Sequence, residues 1–186
     1  MGNIVATFGV SVDGFFEGPN REIDWHIVDD EFHRYVNGVL RESGAFLSGR
    51  ITHELMASFW PTAAENPVST PPMVEFAGIW LDKPKFVYSK TLDHADWNTT
   101  IVREVVPDEV RALRERFDGD LALSGADLAR VFMEDDLIDE YRLYVQPVVL
   151  GRGRPLFLPS DAQTKLRLLE TRTFGTGVVL LHYGRA

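Results

Sequence analysis

The 186-residue sequence contains no cysteine. That excludes disulfides, thiolate catalysis and cysteine-ligated metals. No apolar run approaches the ~20 residues that a membrane-spanning helix needs. The N-terminus lacks a basic stretch followed by a signal-length apolar run. Ala6 stands where a myristoylation signal wants Ser or Thr. The expectation is a cytoplasmic protein. Positive charge is also scarce: 19 Lys and Arg against 28 Asp and Glu give a formal net charge of -9. Such a chain repels nucleic-acid phosphates and acidic membranes, so neither partner is expected. There is no G-x-G-x-x-G, which removes the ordinary Rossmann fingerprint. The five histidines show no ligand spacing such as H-E-x-x-H, so no metal site is expected.

What remains is ordinary for a globular domain, with 45% hydrophobic residues. One domain over residues 1–186 is expected. Apolar strand-like runs alternate with amphipathic helical stretches. Residues 3–10, 45–47, 85–89, 99–105 and 121–123 read as strands. Residues 29–43 read as a helix, because Phe32, Tyr35, Val36, Val39 and Leu40 form one stripe. Further helices are predicted over 52–59, 73–81 and 107–117, and another after Ala126. The Ser11–Glu22 stretch and residues 61–72, with four prolines, read as loops. Residues 166–174 and 178–183 read as a hairpin closed by Gly175-Thr176-Gly177. The pattern predicts an α/β fold, mainly parallel, with an antiparallel C-terminal hairpin.

Three strand ends stand out. Ser48-Gly49-Arg50-Ile51-Thr52 and Leu123-Ser124-Gly125-Ala126-Asp127 are strand-to-helix turns, and Ser89-Lys90-Thr91 is a polar strand end. In a parallel sheet these ends share one edge, where ligands bind. Bare amides at a helix start hold phosphates. Gly49 and Gly125 permit close approach, Arg50 and Lys90 supply cations, and Thr52 supplies a hydroxyl. An arginine suits an extra phosphate on a ribose.

The same residues resemble a known family. Gly49-Arg50-x-Thr52-x-Glu54 followed by Phe59-Trp60-Pro61 is similar to the G-R-x-T-Y-E…W-P pattern of dihydrofolate-reductase-like proteins. Ser11-Val12-Asp13-Gly14, Ser89-Lys90-Thr91-Leu92, Ser124-Gly125-Ala126-Asp127-Leu128, Leu137–Leu143 and Pro147–Gly153 resemble further blocks of that family, in order. Its nearest branch is the C-terminal reductase domain of the bifunctional riboflavin-biosynthesis deaminase/reductase and its stand-alone relatives. The resemblance implies a three-layer α/β/α fold around a mostly parallel sheet of about eight strands. It also implies NADPH across the strand ends. Gly49, Arg50 and Thr52 would hold cofactor phosphates, and Ser89 and Lys90 would lie on the adenosine side. Ser124, Gly125, Ala126, Asp127 and Leu128 would wrap the pyrophosphate. The loop with Asp13, Gly14 and Gly18 would cover the nicotinamide. Two residues depart from the pattern: Ser124 replaces a glycine and His53 a tyrosine. The deaminase zinc motif is absent, so only the reductase half is expected.

The expected reaction is reduction of a pyrimidine- or pterin-type heterocycle, such as the aminouracil ribosyl phosphate of riboflavin synthesis. Dihydrofolate reductase is one alternative; a non-catalytic NADPH-binding protein is the other. The family is often dimeric, which makes a homodimer compatible. A reducible C=N bond needs a proton on nitrogen. In classical dihydrofolate reductases an acid a few residues after a Trp provides it. Counting from Trp25 selects Asp30. Helical phase selects Asp29, which lies about 60° from Phe32, against about 160° for Asp30. Either also fits a helix cap. Arg142, Tyr144 and Gln146 share one strand face; they line the cleft, with Tyr144 near the acid, or face solvent. Arg152 and Arg154 are the cations available to a substrate phosphate.

Overall fold

The computed structural model describes residues 2–159 and 163–186. Strands β1 (Ile4–Ser11), β3 (Ala45–Gly49), β4 (Lys85–Tyr88), β5 (Thr99–Val102), β6 (Leu121–Ser124) and β7 (Glu140–Gln146) run parallel in the order β5-β4-β3-β6-β1-β7. Strand β10 (Val179–Arg185) pairs antiparallel with β7, and β9 (Leu166–Thr173) closes the sheet as its edge. These eight strands and the C-terminal hairpin match the expected architecture.

The alternation of β1 explains the layers. Ile4, Ala6, Phe8 and Val10 face α4 (Pro107–Glu115) and α5 (Ala126–Glu134), where Leu113, Leu128 and the wholly buried Phe132 complete the main core. Truncating Phe132 to Ala removes roughly 3–5 kcal/mol of such packing. Thr7, on the other face, looks toward α1 (Asp30–Glu42), α2 (Arg50–Ala57) and α3 (Pro71–Asp82). On that side Phe32 of α1 packs edge-on against Tyr144 and Phe174, at 4.9 and 5.2 Å between ring centres.

Three local expectations change. Residues 61–72 are not all loop: a 3-10 helix spans Trp60–Glu65, and α3 begins at Pro71 rather than at Met73. Proline at a first helical position loses no hydrogen bond, so Pro61, Pro71 and Pro72 start helices here instead of preventing them. The first loop contains a short strand, β2 (Phe15–Glu17), paired with β8 (Arg154–Pro155) in a separate two-stranded sheet. Strand β5 stops at Val102, three residues before its predicted end. Among the described residues no helix is long and apolar enough to cross a membrane.

Candidate active site

The parallel strands bring the predicted turns together. Ser48 and Ser124 are register partners on β3 and β6, and Gly49 is paired with Tyr88, the residue before Ser89. Gly49 is the N-cap of α2 and Gly125 that of α5; neither end has a side-chain cap. The first amides of both helices therefore lack an intrahelical partner and point along the rim. The two glycines have different reasons. Gly125 has φ +88°, and a Cβ there would lie 2.4 Å from the Thr52 hydroxyl. Gly49 has an ordinary φ of -83°, and its missing Cβ would meet only Leu128, at 3.9 Å. Thr52 of one turn thus sits directly against the backbone of the other.

Around this junction the side chains have defined partners. Arg50 is exposed and pairs with Glu54 one turn on, at 2.9 Å. The buried Ser89 hydroxyl accepts from the amides of Thr91 and Leu92, shaping its own turn. Arg103 donates to the Ser89 and Leu92 carbonyls and fastens that turn to the rim; Lys90 stays exposed. Ala126 and Leu128 are buried, so only their backbone faces the rim. Asp127 receives Arg154, which also bonds Glu17 of β2.

The first loop is fixed from two sides. Asp13 accepts from the Leu150 and Gly151 amides at 3.1 and 2.7 Å. A hydrogen bond from Ser11, together with those amides, holds its carboxyl below the usual range. Gly14 has φ +85° at an open turn, and the Gly18 amide donates to the Glu22 carbonyl.

Two adjoining cavities lead from the rim into the protein. The inner one, about 120 Å³, lies between the sheet and α1–α3 and is lined by Thr7, Ser48, Thr52, His53, Lys85 and Ser124 among others. The outer one, about 430 Å³, opens at the start of α1, where Asp29, Asp30, His33, Trp60 and Met73 form part of its wall. Leu40, Met56 and Phe76 line both. The cavities are largely apolar with a few convergent polar groups, the usual make-up of a small-molecule site.

The titratable groups in these walls are shifted by burial. His53 packs against Trp80, 5.9 Å between ring centres; burial lowers its pKa, and the nearby Lys85 charge lowers it further. Burial lowers His33 too, against opposing pulls from Asp30 and Glu75. Lys85 is pushed down to about 8, chiefly by burial. Its ammonium caps the end of α3 by donating to the Trp80 and Lys83 carbonyls, and it lies 4.6 Å from the Trp80 ring.

Both candidate acids reach the outer cavity, in different ways. Asp29 is the N-cap of α1: one carboxylate oxygen accepts the Phe32 amide at 2.8 Å. Asp30 is more exposed and pairs with Arg34 at 3.0 Å. The segment before them is tied to the sheet, since the buried Gln146 accepts the Ile27 amide at 2.9 Å. His26 fills the space left by the missing side chain of Gly9, and its Nε2 is buried with no hydrogen-bond partner among the described residues. Trp25 stacks edge-on with His26 and donates to the Glu22 carbonyl. Tyr144 is only 3% exposed, and burial drives its phenol well above the usual range. Trp25 and Tyr144 do not line either cavity; Tyr144 is near Asp29 only through Phe32.

The model of the RibD C-terminal domain matches residues 3–180. The chain belongs to the RibD C-terminal domain family. The uncharacterized protein YyaP of Bacillus subtilis (strain 168) is 33% identical over 97% of this chain and 93% of its own length. A putative riboflavin biosynthesis protein from Shewanella sp. PV-4 has the same fold, with a TM-score of 0.74 at 21% identity over 99% of both chains. The diaminohydroxyphosphoribosylaminopyrimidine deaminase/5-amino-6-(5-phosphoribosylamino)uracil reductase of Thermotoga maritima aligns over all of this chain and 57% of its own, with a TM-score of 0.67 at 14% identity. The RibD C-terminal domain is a reductase-type domain, and the family points to a nucleotide-type cofactor.

Within this RibD-type domain, sequence reasoning passed over Arg103, Lys85, His33 and His26. Arg103 follows a strand with no motif around it. The other three reach the site through burial, which no spacing reveals.

Proposed function

We propose that this chain is a cytoplasmic NADPH-dependent reductase of a pyrimidine- or pterin-type heterocycle. One observation carries the reading. Gly125, by lacking a side chain, lets two uncapped helix starts meet at the Thr52 hydroxyl, and the inner cavity opens from that point toward Asp29. A Cβ there would collide with Thr52 and push the two helix starts apart, so the residues present fit a dinucleotide.

NADPH, when bound, supplies the hydride. Backbone amides after Gly49 and Gly125, with Thr52, hold the pyrophosphate. Arg50 binds the ribose phosphate by exchanging its exposed Glu54 partner. Ser89 and Lys90 flank the adenosine in a turn that Arg103 holds in shape. The Asp13–Gly18 loop covers the reactive ring and is kept there by the Asp13 clamp on Leu150 and Gly151. The substrate ring lies in the outer cavity. Trp60 and Phe76 exclude water from it. Asp29 relays a proton from solvent to the ring nitrogen as the adjacent carbon is reduced, its carboxylate first accepting the ring's N–H donors. Its cap bond fixes one oxygen and leaves the other to face the substrate. Asp30, drawn to Arg34, is the lesser candidate.

Titration with NADPH and NADH, followed by quenching of Trp60 and Trp80 fluorescence, tests the cofactor claim. NADPH is expected to quench strongly and NADH more weakly. Failure of both to bind rejects the reading. Tight NADPH binding with no reduction of any aminouracil or dihydropterin converts it to a non-catalytic binding protein.

A further inference from the structure

The walls of the outer cavity are aromatic and aliphatic, with Phe32, Trp60, Met73 and Phe76 facing one another. Its charges are of one sign. Asp29 and Asp30 line it, Asp30 being paired with Arg34 beside it, and among the described residues no Lys or Arg lies in the wall. Burial holds the His33 imidazole below its ordinary range, against opposing pulls from Asp30 and Glu75. Among the described residues the inner cavity's wall carries one cation, Lys85, whose ammonium is already donating to two main-chain carbonyls at the end of α3. The two arginines available from sequence do not change this balance. Arg154 is bound between Glu17 and Asp127, beside the α5 start. Arg152 is exposed on the 147–153 loop.

A phosphate ester placed in this cavity would give up water for two carboxylates and a hydrocarbon wall. Buried anions require paired cations or several donors. A flat ring with N–H donors finds the opposite: aromatic walls for its faces and a carboxylate acceptor for its edge.

We propose that the substrate is an unphosphorylated heterocycle, neutral or cationic, that presents an N–H donor edge to Asp29. This rests on the outer cavity being the substrate end of the proposed reductase. It separates this chain from the Thermotoga maritima enzyme, whose name specifies a phosphoribosylamino substrate.

The test uses the full chain saturated with NADPH and two matched pairs of ligands: 6-hydroxymethylpterin with its phosphate ester, and uridine with uridine 5′-phosphate. Dissociation constants are measured by calorimetry. The unphosphorylated member of at least one pair is expected to bind ten times more tightly than its ester or better. Replacing both carboxylates (Asp29→Asn with Asp30→Asn) is expected to narrow that ratio at least threefold, while NADPH affinity stays within twofold. Equal or tighter binding of the esters overturns the proposal, as does an ester affinity that collapses in Arg152→Ala. Binding of neither pair overturns it too. A failure of NADPH itself to bind is a different result, and it defeats the cofactor reading instead.

Discussion

The rim and the cleft are built from different materials. The rim around Gly49, Thr52 and Gly125 is mostly main chain, held by strand register and by the absence of side chains. The cleft around Asp29 is almost all side chain, from α1, α2, the 3-10 helix and α3. A backbone site tolerates little change in shape but accepts many side chains nearby. A side-chain site can be rewritten residue by residue while the helices stay in place. Cofactor recognition and substrate choice are therefore separable in this fold.

The sharpest way to break that separation is Asp29→Asn. Asparagine caps a helix about as well as aspartate, so the fold is preserved. Loss of a positioned acid is expected to lower kcat by about 10²–10⁴-fold. NADPH affinity should stay within about twofold, and Asp30→Asn should keep kcat within a few-fold. Stopped-flow and steady-state NADPH oxidation measure both. Equal effects of the two variants would remove Asp29 from its role.

Gly125→Val attacks the other region. Its positive φ costs on the order of 1–3 kcal/mol in a β-branched residue, before the clash with Thr52 is counted. Denaturant melts should show that loss, and NADPH binding should fall with it. Lys85 gives a pH signature that belongs to neither surface alone. Its folded pKa is about 8 against an ordinary 10.5. Between those values the unfolded chain binds more protons, so stability rises with pH across that window. Relative to Lys85→Met, the native chain should gain on the order of 1–3 kcal/mol from pH 8 to 10. The smallest effect is Gly49→Ala. With φ -83° and its nearest neighbour 3.9 Å from the new methyl, stability should move by less than about 0.5 kcal/mol. A fall in NADPH affinity without a fall in stability would mark Gly49 as a point of ligand approach.

The same division governs what could be read from the chain. Strand alternation and the Ser-Gly turns announced the sheet and its rim, because both depend on local spacing. The Phe32 stripe and the Asp29 cap placed α1. Tyr144 and Gln146 misled by periodicity: they share the cleft side of the sheet, yet neither faces ligand space or solvent. Tyr144 is enclosed by Phe32 and Phe174, and Gln146 spends its amide on Ile27. The β2–β8 pair was invisible because two short strands, far apart in sequence, carry no period of their own. His26 and Lys85 required tertiary packing to become notable.

The hydrogen bond from the Ile27 amide to the Gln146 side-chain oxygen has a mechanical consequence. It moors the polypeptide two residues ahead of Asp29 to the buried end of β7. With the Phe32 amide bonding its side chain from the other side, Asp29 is held in place at both flanks.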